Sequence, residues 1–186
     1  MPIANAPANT TEIPLDKKRL RLYLGGAALF VALGVWFVAR PADLAGNPFI
    51  RDPRLTQALG AASVALFGLL GFLVVKQLRS TAPGLVLTPE GFTDNSSGTA
   101  AGFVAWAEVL AIRESDIMGQ KMLAIVLRDP AAFIARQPSA LKRRVMTSNL
   151  SSFSSPVQLS AGALLCTHEA LKAELQARLA AAQGQG

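Results

Sequence analysis

Two long stretches without a charge constrain this chain more than any other feature. Leu22–Ala39 and Leu55–Val75 run for 18 and 21 residues with no Asp, Glu, Lys or Arg. A helix needs roughly 20 apolar residues to cross the hydrocarbon of a bilayer. Neither run carries the polar stripe that a surface helix of a soluble bundle shows. The expectation is a transmembrane helical hairpin over residues 17–79, with spans at about 20–39 and 55–76. A cleaved leader fits the first run poorly. Sixteen residues precede its basic group, and no small-residue cleavage motif follows promptly.

Composition agrees with this placement. Charged residues make up 16% of the chain, against about a quarter in soluble domains, and the shortfall sits in the two runs. The net charge of +6 is uneven: residues 1–82 hold nine basic and four acidic groups, the remainder nine and eight. An excess beside apolar spans suits topology and anionic lipid headgroups, not nucleic acid. Lys17, Lys18, Arg19, Arg21, Lys76 and Arg79 flank the hairpin outside, whereas Arg40, Arg51 and Arg54 lie in its loop, offset by Asp43 and Asp52. That bias places both termini in the cytoplasm. An even number of crossings then puts residues 80–183 there as well. Ala28 and Ala32, Ala61 and Ala65, with Gly68 and Gly71, have the spacing that lets helices approach closely. They would serve packing within the hairpin or a homodimer. Neither uncharged run holds Asp, Glu, Lys, Arg or His, the usual markers of an ion path.

The rest of the chain changes character. Residues 1–16 read as a flexible N-terminus, 80–183 as a folded domain and 184–186 as a tail. The stretch 84-GLVLTPEGFTDNSS-97 alternates like a β-hairpin turning at Pro89–Gly91. Two further strands are expected at 103-FVAWAEVLAI-112 and 121-KMLAIVL-127, then a turn or short helix with Asp129 as cap and Pro130 at its first position. A helix is expected through 139–148, a polar loop at 149–155 and a strand at 157–166. Thr167 then caps a last helix whose Leu171, Leu175 and Leu179 repeat every four residues. Glu114 and Asp116 are expected in a solvated loop. These patterns predict an α+β chain: five strands of bent antiparallel sheet closed by a C-terminal helix, because open sheet edges need a cover.

The residues L-x-L-T-x-E-G-F from Leu85, V-A-W-A-E-V with Trp106 two before Glu108, and the late helix resemble bacterial pleckstrin-homology-like domains. From Thr11 to Leu179, including T-E-I-P-L-D-K-K-R ahead of the first run, the chain resembles an uncharacterised bacterial family of two-helix inner-membrane proteins with such a domain. The resemblance implies seven strands bent into a barrel-like sheet and a bacterial inner-membrane location; it is mostly structural, and a phosphoinositide pocket does not follow from it.

Candidate site residues are few. Trp106 is core or a grip for a partner. Glu108 interrupts an apolar face and calls for a basic partner at a bend. Lys142, Arg143 and Arg144 form a solvated helix face or a contact for anionic headgroups. The serines of 151-SSFSS-155 lack a nucleophile-elbow motif, and the lone base His168 falls in the first turn of the last helix. Cys166 is the only cysteine, so neither an internal disulfide nor a closed zinc site is expected. No phosphate-binding loop or dinucleotide fingerprint occurs. No catalytic, cofactor or metal residues are assigned. The function expected is a membrane-anchored module that docks a protein or the membrane surface. The alternative is a membrane enzyme or an accessory subunit of a lipid-handling or transport complex.

Overall fold

Chain connectivity organises the structure, a computed structural model describing residues 4–6, 10–41, 52–117 and 119–184. Asp43, Arg51 and residues 185–186 of the expected tail lie outside the described residues. The chain forms two units, one over Lys17–Ser80, the other joining Met1–Asp16 to Thr81–Gly186.

The first unit is a helical pair, α1 (Lys17–Ala39) and α2 (Pro53–Arg79). Asp52 caps α2 by accepting the Arg54 amide at 2.8 Å, and Pro53 sets the first turn where its missing N–H costs nothing. The buried positions of α1 are Leu20, Ala27 and Gly34, each seven apart; those of α2 are Thr56, Gly60 and Gly71. The backbones touch where both chains lack a Cβ. A Cβ on Gly34 would lie 2.7 Å from the Gly60 carbonyl oxygen, and one on Gly60 would lie 2.6 Å from that of Gly34. Ser63 Oγ donates to the Phe30 carbonyl at 3.0 Å, and the Phe30 and Phe67 rings stack at 4.3 Å. Of the small residues expected to pack, Gly71 is buried against α1, whereas Ala28, Ala32, Ala61, Ala65 and Gly68 are exposed. Spacing by four identifies a face but not which face meets the partner. The outward surface is apolar: Leu22 is 74% exposed and Phe72 66%. Both helices are long and apolar enough to cross a membrane.

The second unit holds two antiparallel sheets. Strands β1 (Ala4–Ala6), β2 (Thr10–Ile13), β3 (Leu85–Leu87), β4 (Gly91–Asp94) and β5 (Gly102–Ala105) lie in sequence order. Strands β6 (Val109–Ile117), β7 (Gln120–Leu127) and β8 (Val157–Leu159) form the other sheet. Helices α3 (Pro130–Ala135), α4 (Ala140–Phe153) and α5 (His168–Gln183) complete it. The core joins Leu85, Leu87 and Phe92 of the first sheet, Leu123, Ile125 and Leu159 of the second, and Leu171 and Leu175 of α5. Thr167 Oγ1 caps α5 by accepting the Ala170 amide, and Asp129 caps α3 by accepting that of Ala132. Both caps fall where the sequence predicts them, as does the hairpin turn between β3 and β4.

Four expectations change. Residues 1–16 are not uniformly a flexible lead: Thr10–Ile13 pair with β3, Thr11 opposite Leu87 and Ile13 opposite Leu85. Ile13 and Leu15 are buried, which a short segment after a polar start does not announce. The run 103–112 is interrupted by a 3-10 turn at Trp106–Glu108, which carries the chain from one sheet to the next. Residues 149–153 are helical, not loop. The helix stops at Ser154, whose left-handed φ of 54° ends it in place of a glycine. The last expected strand shortens to Val157–Leu159, because a 3-10 turn over Ala161–Ala163 follows. Among the described residues the strands number eight, against five expected from pattern.

Truncating Ile13 to Ala removes a side chain only 3% exposed. The expected cost is about 2–4 kcal/mol, read as a lower melting temperature of the detergent-solubilised chain. Glu12→Ala, on the same strand but facing outward, is expected to stay within about 0.5 kcal/mol of the parent. Equal melting of the two variants would remove β2 from the fold.

Candidate functional site

The 3-10 turn between β5 and β6 gathers several singled-out residues. Trp106 is 3% exposed. Its indole Nε1 donates to the Thr88 carbonyl at 2.9 Å, and its ring tilts against Phe92 with centroids 5.3 Å apart. The side chain staples the β3–β4 turn to the corner. Its indole N–H is bonded and its ring is buried, the core placement that the sequence offered as one of two readings.

Glu108 ends the same turn and finds the basic partner its position calls for. Arg136, just past α3, donates Nη1 and Nη2 to its two oxygens, the second at 2.7 Å. The Ala105 amide donates to Oε2 at 3.3 Å. The guanidinium also lies 4.6 Å from the centre of the Phe133 ring. A two-pronged charge-assisted pair of this kind fixes orientation as well as energy. Arg136 beside Glu108 holds its carboxyl below the usual range, against an opposing push from burial. The pair ties the corner to the α3 segment.

The basic cluster divides into separate jobs. Lys142 Nζ donates to the Ala100 carbonyl at 2.7 Å, and Arg143 Nη1 to the Gln137 carbonyl at 2.6 Å. Both are half-buried and hold loops. Arg144 is exposed, one turn beyond Leu141, which is 58% exposed. Of the three, Arg144 alone directs its position outward, next to an uncovered leucine.

A hollow of about 50 Å³ lies beside Lys142, lined by Asp94, Thr99, Met146, Asn149, Val157 and Gln158 among others. Small-molecule sites occupy roughly 300–1,000 Å³, so this space suits ordered water. Asp94 is buried, and its carboxylate accepts from the Ser96 amide and hydroxyl and from the Ala101 amide. Those bonds shape the 94–101 loop.

The polar group on β6 was missed by reading Glu114 as loop. Glu114 lies on the strand and accepts from Lys172 Nζ at 2.8 Å, while His168 Nε2 lies 2.9 Å from its other oxygen. Lys172, and then His168, hold its carboxyl below the usual range. The link reaches across 54 and 58 positions, with no local pattern to reveal it. His168 Nδ1 is buried with no hydrogen-bond partner among the described residues. The serines lie elsewhere in the bonding scheme: Ser155 Oγ donates to the Ile125 carbonyl at 2.6 Å and Ser151 Oγ to that of Ser148. Among the described residues no three His, Cys, Asp or Glu side chains gather to hold a metal ion.

Comparison with protein-family models, with curated proteins and with solved structures gives no match.

The Glu108–Arg136 pair generates a pH prediction. Its carboxyl is depressed in the folded chain, so its stabilisation is full above about pH 4.3, the unfolded value. It is lost as pH falls through the folded value. With both partners partly solvated, the contribution is about 1 kcal/mol or less. Glu108→Gln is therefore expected to lower the melting temperature at pH 7 and to match the parent at pH 2.5. A gap that persists unchanged at pH 2.5 would assign it to packing instead.

Proposed function

We propose that this chain is a two-span protein of the bacterial inner membrane whose cytoplasmic, pleckstrin-homology-like domain docks a partner protein or the membrane surface. The observation that carries the reading is the uncovered apolar surface of α1 and α2. Water would leave Leu22, Leu29, Leu66, Leu69 and Phe72 exposed on one helical pair, a larger apolar surface than soluble monomers tolerate. Hydrocarbon removes that cost, and the helices satisfy their own backbone groups, as a span must.

Strand pairing supports the topology. Because β2 and β3 are neighbours in one sheet, the segments before α1 and after α2 lie on the same side of any membrane the pair crosses. The basic residues flanking the pair favour the cytoplasmic side. Leaving out β1, the described strands number seven, as the pleckstrin-homology-like resemblance implies, with α3 and α4 inserted before β8 and α5 after it.

Docking is the role that such a tethered domain performs best. Confinement near the bilayer raises local concentration, so weak contacts become effective. Arg144 and Leu141 on α4 offer a basic group beside an apolar one, suited to anionic headgroups. Lys142 and Arg143 contribute less, since loop carbonyls engage them.

Two measurements test the reading. Alkaline carbonate extraction is expected to leave the chain in the membrane pellet; release into the supernatant would sink the membrane assignment. For the headgroup contact, Ser148→Cys in a Cys166→Ser background reports on the exposed face one turn from Arg144. Its labelling by a water-soluble maleimide is expected to slow roughly fivefold when anionic lipid replaces neutral lipid in nanodiscs. Arg144→Glu is expected to abolish that slowing. Equal rates in both lipids would leave a protein partner as the docking target.

A further inference from the structure

The helical pair is inserted between two strands that are neighbours in space, and both crossing points are held. On the entry side, Leu15 bridges Leu164, the Leu165 amide donates to the Pro14 carbonyl at 2.8 Å, and the Asp16 amide donates to the Ala163 carbonyl at 2.9 Å. Helix α1 starts at the next residue. On the return side, Asn95 donates its side-chain amide to the Pro83 carbonyl and its backbone amide to that of Gly84. Gly84 is wedged: a Cβ there would lie 2.5 Å from Leu164 Cδ2 and 2.9 Å from Leu15 Cδ2. The same two leucines thus grip both crossing points. Between Arg79 and Pro83 stand only residues 80–82, which reach about 10 Å fully extended.

We infer that the β2–β3 pair couples the helical pair to the sheet unit, so that separating α1 from α2 loosens β2 from β3. The physical reason is the shortage of chain. Paired strands sit about 4.8 Å apart and packed helices about 8–10 Å apart. That difference is about 3–5 Å, and the three residues 80–82 leave only a few ångströms beyond it at full extension. Further separation pulls first on the two strands that the connections join. Strand β2 has four residues and meets β3 at three paired positions, while β6 and β7 pair over most of their length. A change in helix packing, whether from a partner within the membrane or from bilayer thickness, would then reach the sheet through β2. The inference rests on connectivity and helix packing, not on which surface the domain docks.

The test is hydrogen–deuterium exchange on the full chain in nanodiscs. A Cβ added at Gly71 would already lie in contact with Ala27 Cβ, at 3.6 Å, so Gly71→Leu wedges the helices apart on the half nearer the connections. At Gly68 an added Cβ would meet nothing within 4 Å among the described residues, which supplies Gly68→Leu as the control. In Gly71→Leu the amides of 10–13 and 85–87 are expected to exchange about tenfold faster, with those of Ala124 and Ile125 unchanged. Gly68→Leu is expected to match the parent. A six-residue Gly/Ser spacer after Ser80 is expected to restore protection in Gly71→Leu. Unchanged exchange in β2 and β3, equal acceleration in β7, or no rescue by the spacer each overturns the coupling. Should Gly71→Leu fail to fold, the parent in discs of short- and long-chain lipid gives the same comparison, and identical β2 exchange in both overturns it. A chain that does not enter discs instead defeats the span reading; the wedge and spacer comparison in detergent then decides the coupling alone.

Discussion

Pairing of Thr10–Ile13 with Leu85–Leu87 is the constraint on which the remaining architecture depends. It closes the first sheet, buries Ile13 and Leu15, and sets where the helical pair must leave and return. A four-residue strand has little intrinsic stability; its hold comes from side chains. Arg178 of α5 donates to Thr11 Oγ1 at 2.7 Å and also pairs with Glu174. The C-terminal helix, the sheet and the N-terminal strand therefore meet at one polar contact beside an apolar core. Loss of a strand that carries both kinds of contact would open the sheet edge at β3.

Polar side chains in the sheet unit serve mainly as ties between segments distant in sequence. Glu108 joins the corner to α3, Lys142 joins α4 to the 94–101 loop, and Asp94 folds that loop on itself. Glu114 joins β6 to α5. Each tie satisfies a group that would otherwise be costly where solvent is scarce. The solvated pairs hold position more than they stabilise, since water and ions weaken exposed pairs. What remains outward on α4, Arg144 with Leu141, stands out because its neighbours are engaged elsewhere.

The two apolar helices were legible from sequence because eighteen or more uncharged residues admit few other fates. The β3–β4 hairpin, the Asp129 and Thr167 caps and the Leu171–Leu175–Leu179 stripe were legible because each is a local pattern with a local cause. The Glu108 partner was legible as a need, since a carboxylate on an apolar face requires one, although its identity as Arg136 was not. The β2 strand was hidden because its pairing partner lies beyond both helices. The helix interface was hidden because Ala28 and Ala32 lie beside Ala27 on a uniformly apolar helix, whose buried positions, Leu20, Ala27 and Gly34, recur every seven residues. Helix α4 ran past its expected end because serines in 151–155 favour turns in isolation, whereas Met146, buried on the same helix, anchors it by packing. Local composition lost to tertiary contact in each case.

Strand β2 also sets a timetable for synthesis. Its partner β3 is made about seventy residues later. At ribosomal rates of about 5–20 residues per second, that leaves β2 without its neighbour for roughly 4–14 s. During this interval both apolar helices are made, so β2 meets β3 only after α1 and α2 are complete, and closure of the first sheet reports that the whole helical pair has been synthesised.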